Sequence, residues 1–253
     1  MNICKSSIKS KMLILLVVMS VNGLLAQCDS PNESFNPAER YGDEMRSFDL
    51  GDADRLPYFE GDDFRPFWPE VMKGERELAA TAPDEAIRIP DFAFTDQDDR
   101  EFGSEQLRGK IYLANFFFTR CRGICPLTMP RLRGVHREFA NKTGNFEMIS
   151  YTITPDIDTP PVLHKYGQDL GINFQSWHLL TGSREVIYKL ARDSYGADTD
   201  TRTTQGEEDF VHSEQAFLVD EQGYLRGIYN VKRNNDIEAI IADIRLLQQE
   251  QTI

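Results

Sequence analysis

Two cysteines four residues apart, Cys121 and Cys125, are the side chains of this 253-residue sequence best suited to chemistry. They lie within residues 119–126, directly after an apolar run and directly before a pattern typical of a helix. The free amides and the dipole of a helix N-terminus stabilise thiolate, and the adjacent Arg120 and Arg122 act in the same direction. Thiolate is the form needed for disulfide exchange and for binding a soft metal ion.

Three uses of this pair compete: a structural disulfide, two inert buried thiols, and a redox or metal site. A four-residue offset can bring the two sulfurs within disulfide distance. A structural disulfide is disfavoured because closing a loop of three intervening residues removes little entropy from the unfolded chain. We therefore interpret the pair as a redox or metal site.

Alternating strand and helix patterns surround the pair. Residues 111–118 are almost wholly apolar, which is typical of a central strand buried on both faces. Further predicted strands cover residues 91–95, 101–102, 146–153, 176–180, 215–219 and 224–229, and predicted helices cover residues 126–141, 183–195, 235–249 and a segment that begins near Pro160. The pattern predicts an α/β fold with a mixed sheet flanked by helices, and a thioredoxin-like architecture fits it best.

The histidines help to separate metal binding from disulfide reduction. His136 and His164 are expected on solvated helix faces, and His178 in a hydrogen-bonded structural role. His212 precedes the predicted strand at residues 215–219, and in a thioredoxin-like sheet the loop before that strand faces the cysteine turn. A histidine there can simply be a hydrogen-bonding residue.

Two thiolates and one imidazole form a three-coordinate site that suits Cu(I), whereas zinc usually takes four ligands, and no cysteine or histidine is an obvious fourth. Thioredoxin-type reductases have a cis-proline before the equivalent strand, but residues 211–216 contain no proline. This absence favours a metal site. Met129 could be considered as a soft axial ligand, but its helical position next to apolar neighbours predicts a core residue.

The sequence resembles the Sco/SenC family of copper-delivery proteins. The resemblance covers about residues 88–247 and is carried by residues 118–121, 125–126, 154–160 and 217–220 together with His212. It implies a thioredoxin-like fold and one copper ion per chain, bound by Cys121, Cys125 and His212. It also implies a role in assembling the dinuclear copper centre of cytochrome c oxidase, either by handing copper to an oxidase subunit or by reducing the acceptor's cysteines.

Two positions depart from the family pattern. Val211 stands where the family often has Asp before the ligand histidine, which removes an acceptor for the imidazole and could weaken the site. Thr154 stands where the family usually has Asp before Pro155. Asp156 and Asp158, which follow, are predicted to cap the next helix rather than to contact a partner.

The N-terminus predicts export. Residues 1–26 combine three lysines, a short apolar run and Ala26, as in a secretory signal peptide cleaved after Ala26, and the run is too short to cross a bilayer. An alternative is a lipoprotein in which Cys28 carries the lipid anchor, although Gln27 departs from the usual lipobox. The expected location is the periplasm or the periplasmic side of a membrane.

The net charge of −13 argues against nucleic acid as a partner. Acidic residues and prolines are concentrated in residues 27–87, and this composition predicts an extended arm. Residues 88–253 are predicted to form the folded domain. Aromatic side chains between residues 56 and 68 are expected to pack on that domain, either as a clamp or as a docking site.

Three functions remain open from the sequence. The first is a metallochaperone that delivers copper to a client enzyme. The second is an exported thiol–disulfide oxidoreductase that uses Cys121 and Cys125 without metal. The third is a binding module whose acidic arm docks a partner. Copper stoichiometry together with disulfide reductase activity separates them.

Overall fold

The computed structural model describes residues 55–69, 82–140, 145–197 and 214–250. The predicted signal peptide at residues 1–26, Cys28 and His212 lie outside these ranges. Within them, no helix combines the length and the apolar composition needed to cross a membrane.

Strands and helices alternate along the domain, as predicted. In the described ranges the elements are β1 (Tyr58–Glu60), β2 (Arg65–Phe67), β3 (Ala93–Thr95), β4 (Glu101–Gly103), α1 (Ser104–Leu107), β5 (Ile111–Phe117), α2 (Cys125–Phe139), β6 (Phe146–Thr152), α3 (Pro160–Leu170), β7 (Trp177–Leu180), α4 (Arg184–Tyr195), β8 (Gln215–Val219), β9 (Leu225–Asn230) and α5 (Asn234–Glu250). The predicted mixed sheet flanked by helices is confirmed.

A five-stranded sheet with the order β7-β6-β5-β8-β9 forms the centre of the domain. The strands β5, β6 and β7 are parallel, whereas β8 and β9 complete the sheet in antiparallel pairings. Every residue of β5 is buried, because helices cover both faces of the sheet. Consecutive side chains of β5 point to opposite faces: Asn115 contacts Met129 of α2, whereas Phe116 packs edge-on against Tyr195 of α4.

Two local elements were not predicted. The short helix α1 follows β4 directly, and the pair β1–β2 forms a hairpin within the arm. Phe59 of this hairpin is buried in the core, and its carbonyl accepts a 2.7 Å hydrogen bond from the Ile87 amide. Phe64 lies against Gly196, where a Cβ atom would come within 2.8 Å of the phenyl ring. The aromatic part of the arm therefore packs on the domain.

A buried arginine holds the arm to the sheet. The Arg226 guanidinium donates to the carbonyls of Pro57 and Leu56 at 3.0 and 2.9 Å, and to the Asp220 carboxylate at 3.0 Å. Its Cζ atom lies 4.2 Å from the centroid of the Tyr58 ring. We call this group of five residues the Arg226 clamp.

The Arg226 clamp and the cysteines lie at opposite ends of β5. Val219, one residue before Asp220 of the clamp, pairs with Tyr112 near the start of β5. Cys121 follows the end of the same strand. The arm thus joins the domain at the end of the sheet remote from the cysteines.

Candidate metal centre

The two cysteines lie at the carboxyl end of the central strand. Cys121 falls in the loop between β5 and α2, and Cys125 is the first residue of α2, which has Pro126 in its first turn. Both are free thiols, and both are buried. The predicted position at a helix N-terminus is confirmed, with no acidic residue in the first turn of α2 to oppose thiolate formation.

Hydrogen bonds make the two thiols unequal. The Cys125 amide donates to the Cys121 sulfur at 3.4 Å. Burial raises the pKa of Cys121, but hydrogen bonds from the Cys125 backbone and thiol and from the amides of Gly123 and Ile124 outweigh it and lower this pKa below its usual value. Burial, with the Cys121 sulfur acting in the same direction, raises the pKa of Cys125 to about 12. Cys121 is therefore the more nucleophilic thiol of the pair.

Asp158 fixes the start of the cysteine loop. Its buried carboxylate accepts hydrogen bonds from the Thr119 amide at 3.1 Å, from the Thr154 hydroxyl at 2.9 Å, and from the hydroxyls of Thr119 and Thr152 at 2.5 Å. The loop that carries Cys121 is thereby tied to the end of β6. A carboxylate with four donors is fully satisfied in the interior.

The predicted capping role of the two aspartates is wrong. Thr159 occupies the N-cap position of α3 without a side-chain capping bond, and Pro160 begins the helix. Asp158 points instead to the cysteine loop, and Asp156 forms an exposed ion pair with Arg184. Asp158 is thus a positioning residue that its place in the sequence did not reveal.

The aromatic ring of Tyr166, in α3, lies near the two thiols. Its ring stacks on Phe117, the last residue of β5, with a centroid distance of 5.4 Å. Burial, and then the nearby Cys125 and Cys121, raise the pKa of the Tyr166 phenol. The sequence held a signal for this contact, because Tyr166 lies three residues after the buried Leu163 and so on the core face of α3.

Met129 is a core residue, as expected. It is fully buried, and its sulfur accepts a 3.6 Å hydrogen bond from the Asn115 side-chain amide. The Asn115 carbonyl accepts from Ser150 at 2.6 Å, and Ser150 accepts from the Trp177 indole at 2.9 Å. This buried polar chain holds α2 against β5 and β6 beneath the cysteine loop.

The structure brings together the two predicted cysteine ligands, while His212 lies outside the described residues. In those residues no group of three or more His, Cys, Asp or Glu side chains is arranged to hold a metal ion. The strand β8 that follows His212 begins beside the end of β5, because Ala216 pairs with Asn115. The start of β8 and the cysteine loop therefore share one edge of the sheet.

The other three histidines contact residues outside the cysteine loop. The expectation of a solvated His136 is wrong: its ring is buried, its Nε2 lies 2.8 Å from the Ser176 hydroxyl, and burial lowers its pKa. His164 is partly exposed and lies 2.9 Å from Asp98. His178 stacks on Phe102 at 3.8 Å, with its Nε2 atom 3.6 Å from Glu147, in agreement with a structural role.

Comparison with known proteins identifies the family. The sequence model of the SCO1/SenC family matches residues 80–249. A SCO1 protein homolog of Bacillus subtilis is 28% identical over 158 residues, which cover 62% of this chain and 81% of the relative. A protein of Stutzerimonas stutzeri, described as a candidate copper-binding protein, is 30% identical over 140 residues, which cover 55% of this chain and 67% of the relative.

Solved structures agree with this assignment. A SCO1/SenC family lipoprotein from Bacillus anthracis superposes with a TM-score of 0.56 at 28% identity, covering 63% of this chain and 94% of that one. BsSco, a member of the Sco family of cytochrome c oxidase assembly proteins with a disulfide switch, has a TM-score of 0.56 at 26% identity, covering 64% and 94%. The thioredoxin-like fold expected from the sequence is confirmed, and the chain belongs to the SCO1/SenC family.

Proposed function

We propose that this protein is a copper-binding metallochaperone that assists the maturation of a copper enzyme, specifically the dinuclear copper centre of cytochrome c oxidase. The observation that carries the proposal is the pair of free, buried cysteines in the turn from β5 into α2, one of which is activated by hydrogen bonds. The family assignment supports it, as do the oxidase-assembly role of BsSco and the description of the Stutzerimonas stutzeri relative.

Cys121, Cys125 and His212 are the proposed ligands of one copper ion per chain. Thiolate and imidazole suit Cu(I), and a soft two-sulfur site discriminates against the hard cations that prefer oxygen ligands. Asp158 and the buried strand β5 hold the cysteine loop in place, so the two sulfurs are positioned before the metal arrives. His212 lies three residues before Gln215, where β8 begins at the same edge of the sheet.

Anaerobic reconstitution with Cu(I) tests the proposal. The reduced wild-type protein should bind about one copper ion, and His212→Ala should bind it at least about tenfold more weakly, since loss of one of three ligands removes a coordinate bond. Stoichiometry is measured by metal analysis, and affinity by competition with a chromogenic Cu(I) chelator. His164→Ala is the matched control, because His164 contacts Asp98 and Gln168 rather than the thiols.

The His212→Ala variant should still form the Cys121–Cys125 disulfide, because the imidazole is not needed for sulfur–sulfur bonding. Quantifying free thiols after mild oxidation checks this. Equal copper affinity in wild-type protein and His212→Ala removes His212 from the site and leaves the two cysteines as a redox pair.

That redox pair is the second candidate function. The unequal pKa values of Cys121 and Cys125 suit an exchange reaction in which Cys121 attacks a disulfide and Cys125 resolves the mixed disulfide. An exported thiol–disulfide oxidoreductase would reduce a protein disulfide rapidly and bind no copper. The same two assays, copper stoichiometry and disulfide reduction, separate the two functions.

We also propose that the protein is exported and acts in the periplasm or at the periplasmic face of a membrane. Residues 1–26 have the composition of a signal peptide, and Cys28 is a candidate lipid anchor. The Bacillus anthracis relative is a lipoprotein, which supports the anchored form. Holding a copper donor near a membrane-bound client raises its effective concentration there.

Mass spectrometry of the mature N-terminus distinguishes the two forms. Simple signal cleavage after Ala26 yields an unmodified chain that starts at Gln27, whereas the lipoprotein form starts at an acylated Cys28. Cys28→Ser should release an anchored protein from the membrane fraction and should leave a freely exported protein where it was. Two or three acyl chains are needed for stable anchoring, since one binds only marginally.

A further inference from the structure

Exposed apolar side chains gather around the cysteine loop. Leu127 lies in the first turn of α2 and Val162 in the first turn of α3, while Ile157 adjoins Asp158, which anchors the loop. These side chains are 44%, 38% and 39% exposed. In the described ranges one other large apolar side chain has comparable exposure: Val186, in the first turn of α4, a helix on the opposite face of the sheet from α2.

Two arginines lie within this apolar surface. Arg120 and Arg122 flank Cys121, and both are exposed. In the described part of the chain, neither guanidinium takes part in an ion pair or a side-chain hydrogen bond, whereas Arg65, Arg184 and Arg245 each pair with an acidic residue. The two positive charges stand out in a protein with a net charge of −13. We call Leu127, Ile157, Val162, Arg120 and Arg122 the rim.

We infer that the rim is the docking surface for the client of the proposed function, and that the client presents an apolar contact bordered by acidic side chains next to its own copper ligands. The inference rests on the proposed function, because direct copper transfer requires the donor and acceptor ligands to approach within bonding distance. The surfaces around both sites must then come into contact and exclude water.

The chemistry of the rim determines the partner it fits. Single exposed aliphatic side chains are ordinary on a protein surface, but three in the segments next to the cysteine loop offer apolar area whose burial favours association. Arginines without intramolecular partners attract carboxylates and raise the rate of encounter with an acidic surface. An acidic partner would otherwise be repelled by this acidic protein, so the rim also selects the orientation of docking.

The rim can be tested with the soluble domain of the oxidase subunit that carries the dinuclear copper centre in the same organism. The double variant Ile157→Ser/Val162→Ser should bind this domain at least about tenfold more weakly than the wild type, as expected for loss of central apolar contacts. Val186→Ser is the matched control. Val186 lies on α4, which packs on the face of the sheet opposite to α2, and its substitution should leave binding unchanged.

The charged part of the rim has its own variant. Arg122→Glu should slow association with the oxidase domain, with a loss that shrinks as salt is raised, because screening weakens the electrostatic term. Arg108→Glu is the matched control. Arg108 is an exposed arginine shortly before the first residue of β5, whereas the cysteine loop follows the last residue of that strand. Both pairs of variants are compared by surface-immobilised binding kinetics with the copper-loaded protein.

The outcomes separate this inference from the proposed function. Wild-type-like binding of the double variant, or an equal loss with Val186→Ser, overturns the rim while copper delivery stands. A wild-type protein that binds copper but not the oxidase domain overturns the choice of client together with the rim. Loss of self-association, rather than of client binding, in the double variant assigns the rim to a second copy of this chain and overturns the inference.

Discussion

Oxidation of Cys121 and Cys125 to a disulfide should abolish copper uptake. Forming the disulfide removes two electrons and two protons from the pair and consumes both proposed sulfur ligands, so that only the imidazole of the proposed ligand set would be left to hold the metal. Metal analysis after reconstitution should give about one copper per chain for the reduced protein and close to none for the oxidised protein. Reduction before reconstitution should restore full uptake.

This experiment needs a protein without the additional thiol of Cys28, and a control variant that lacks one cysteine of the pair. Cys28→Ser removes the remaining cysteine of a chain cleaved after Ala26 and should retain wild-type uptake. Cys125→Ser in that background cannot form the intramolecular disulfide and should bind little copper before or after reduction. Equal uptake by the oxidised and reduced forms would falsify the assignment of this pair as copper ligands.

The two proposed cysteine ligands also predict how copper affinity changes with pH. The pKa of Cys125 is raised to about 12, so its thiol carries a proton at neutral pH, and copper must displace that proton to bind the sulfur. The copper affinity of the reduced protein should therefore rise with pH through the neutral range. Chelator competition at several pH values measures this slope.

Replacing Arg226 should cause a large loss in the free energy of unfolding. Arg226→Met removes the guanidinium from the Arg226 clamp and leaves the buried Asp220 carboxylate without its counter-ion and two carbonyls without their donors. Breaking a buried ion pair in this way typically lowers the free energy of unfolding by about 3–5 kcal/mol. Urea denaturation measures the loss, and the conservative Arg226→Lys variant should retain part of the stability.

At acidic pH, the free energies of unfolding of Arg226→Met and the wild type should differ less than at neutral pH. Burial already raises the pKa of Asp220, and Arg226 opposes that effect, so removing Arg226 raises the pKa further. When the pKa of a carboxyl group is higher in the folded than in the unfolded protein, the free energy of unfolding falls as the pH rises from the unfolded to the folded pKa. The deficit of Arg226→Met should thus be larger at neutral pH than near pH 4.

An exposed arginine in the β1–β2 hairpin, the segment that Arg226 of β9 holds to the sheet, supplies the control. Arg65 pairs with Glu60 at the surface, and Arg65→Met should change the free energy of unfolding by about 1 kcal/mol or less. Tryptophan fluorescence reports on the hairpin and on the core together, because Trp68 adjoins the hairpin and Trp177 is buried in the core. An Arg226→Met variant as stable as Arg65→Met contradicts the role of the clamp.

Periodic patterns were sufficient to predict most of the fold. The apolar run that forms β5 and the spacing of Leu132, Val135 and Phe139 in α2 depend on neighbours close in sequence, and the structure confirms both elements. The position of the two cysteines between these elements follows directly. Local sequence patterns were therefore enough to predict that the thiols lie at the carboxyl end of the central strand.

Contacts between distant residues could not be predicted in this way. Asp158 resembles a helix cap because a proline follows shortly, and Thr119, the donor through which it holds the cysteine loop, lies 39 residues away. His136 has polar neighbours in sequence, but Ser176 and Trp177, which enclose its ring, come from another part of the chain. Burial of the His136 ring follows from the contact of α2 with Trp177 of β7, which no local pattern encodes.

The Arg226 clamp fixes the end of the sheet at which the arm joins the domain. Because β5 rises about 3.3 Å per residue, its seven residues separate the clamp from the cysteine loop by about 20 Å. A chain secured upstream of residue 55, by a lipid or by an immobilising tag, would be pulled from the end remote from the thiols, and the segment from Cys28 to Arg55 can extend to at most about 95 Å. Attachment on that side of the domain would leave the cysteine loop at the end of the central strand farthest from the point where the arm joins the sheet.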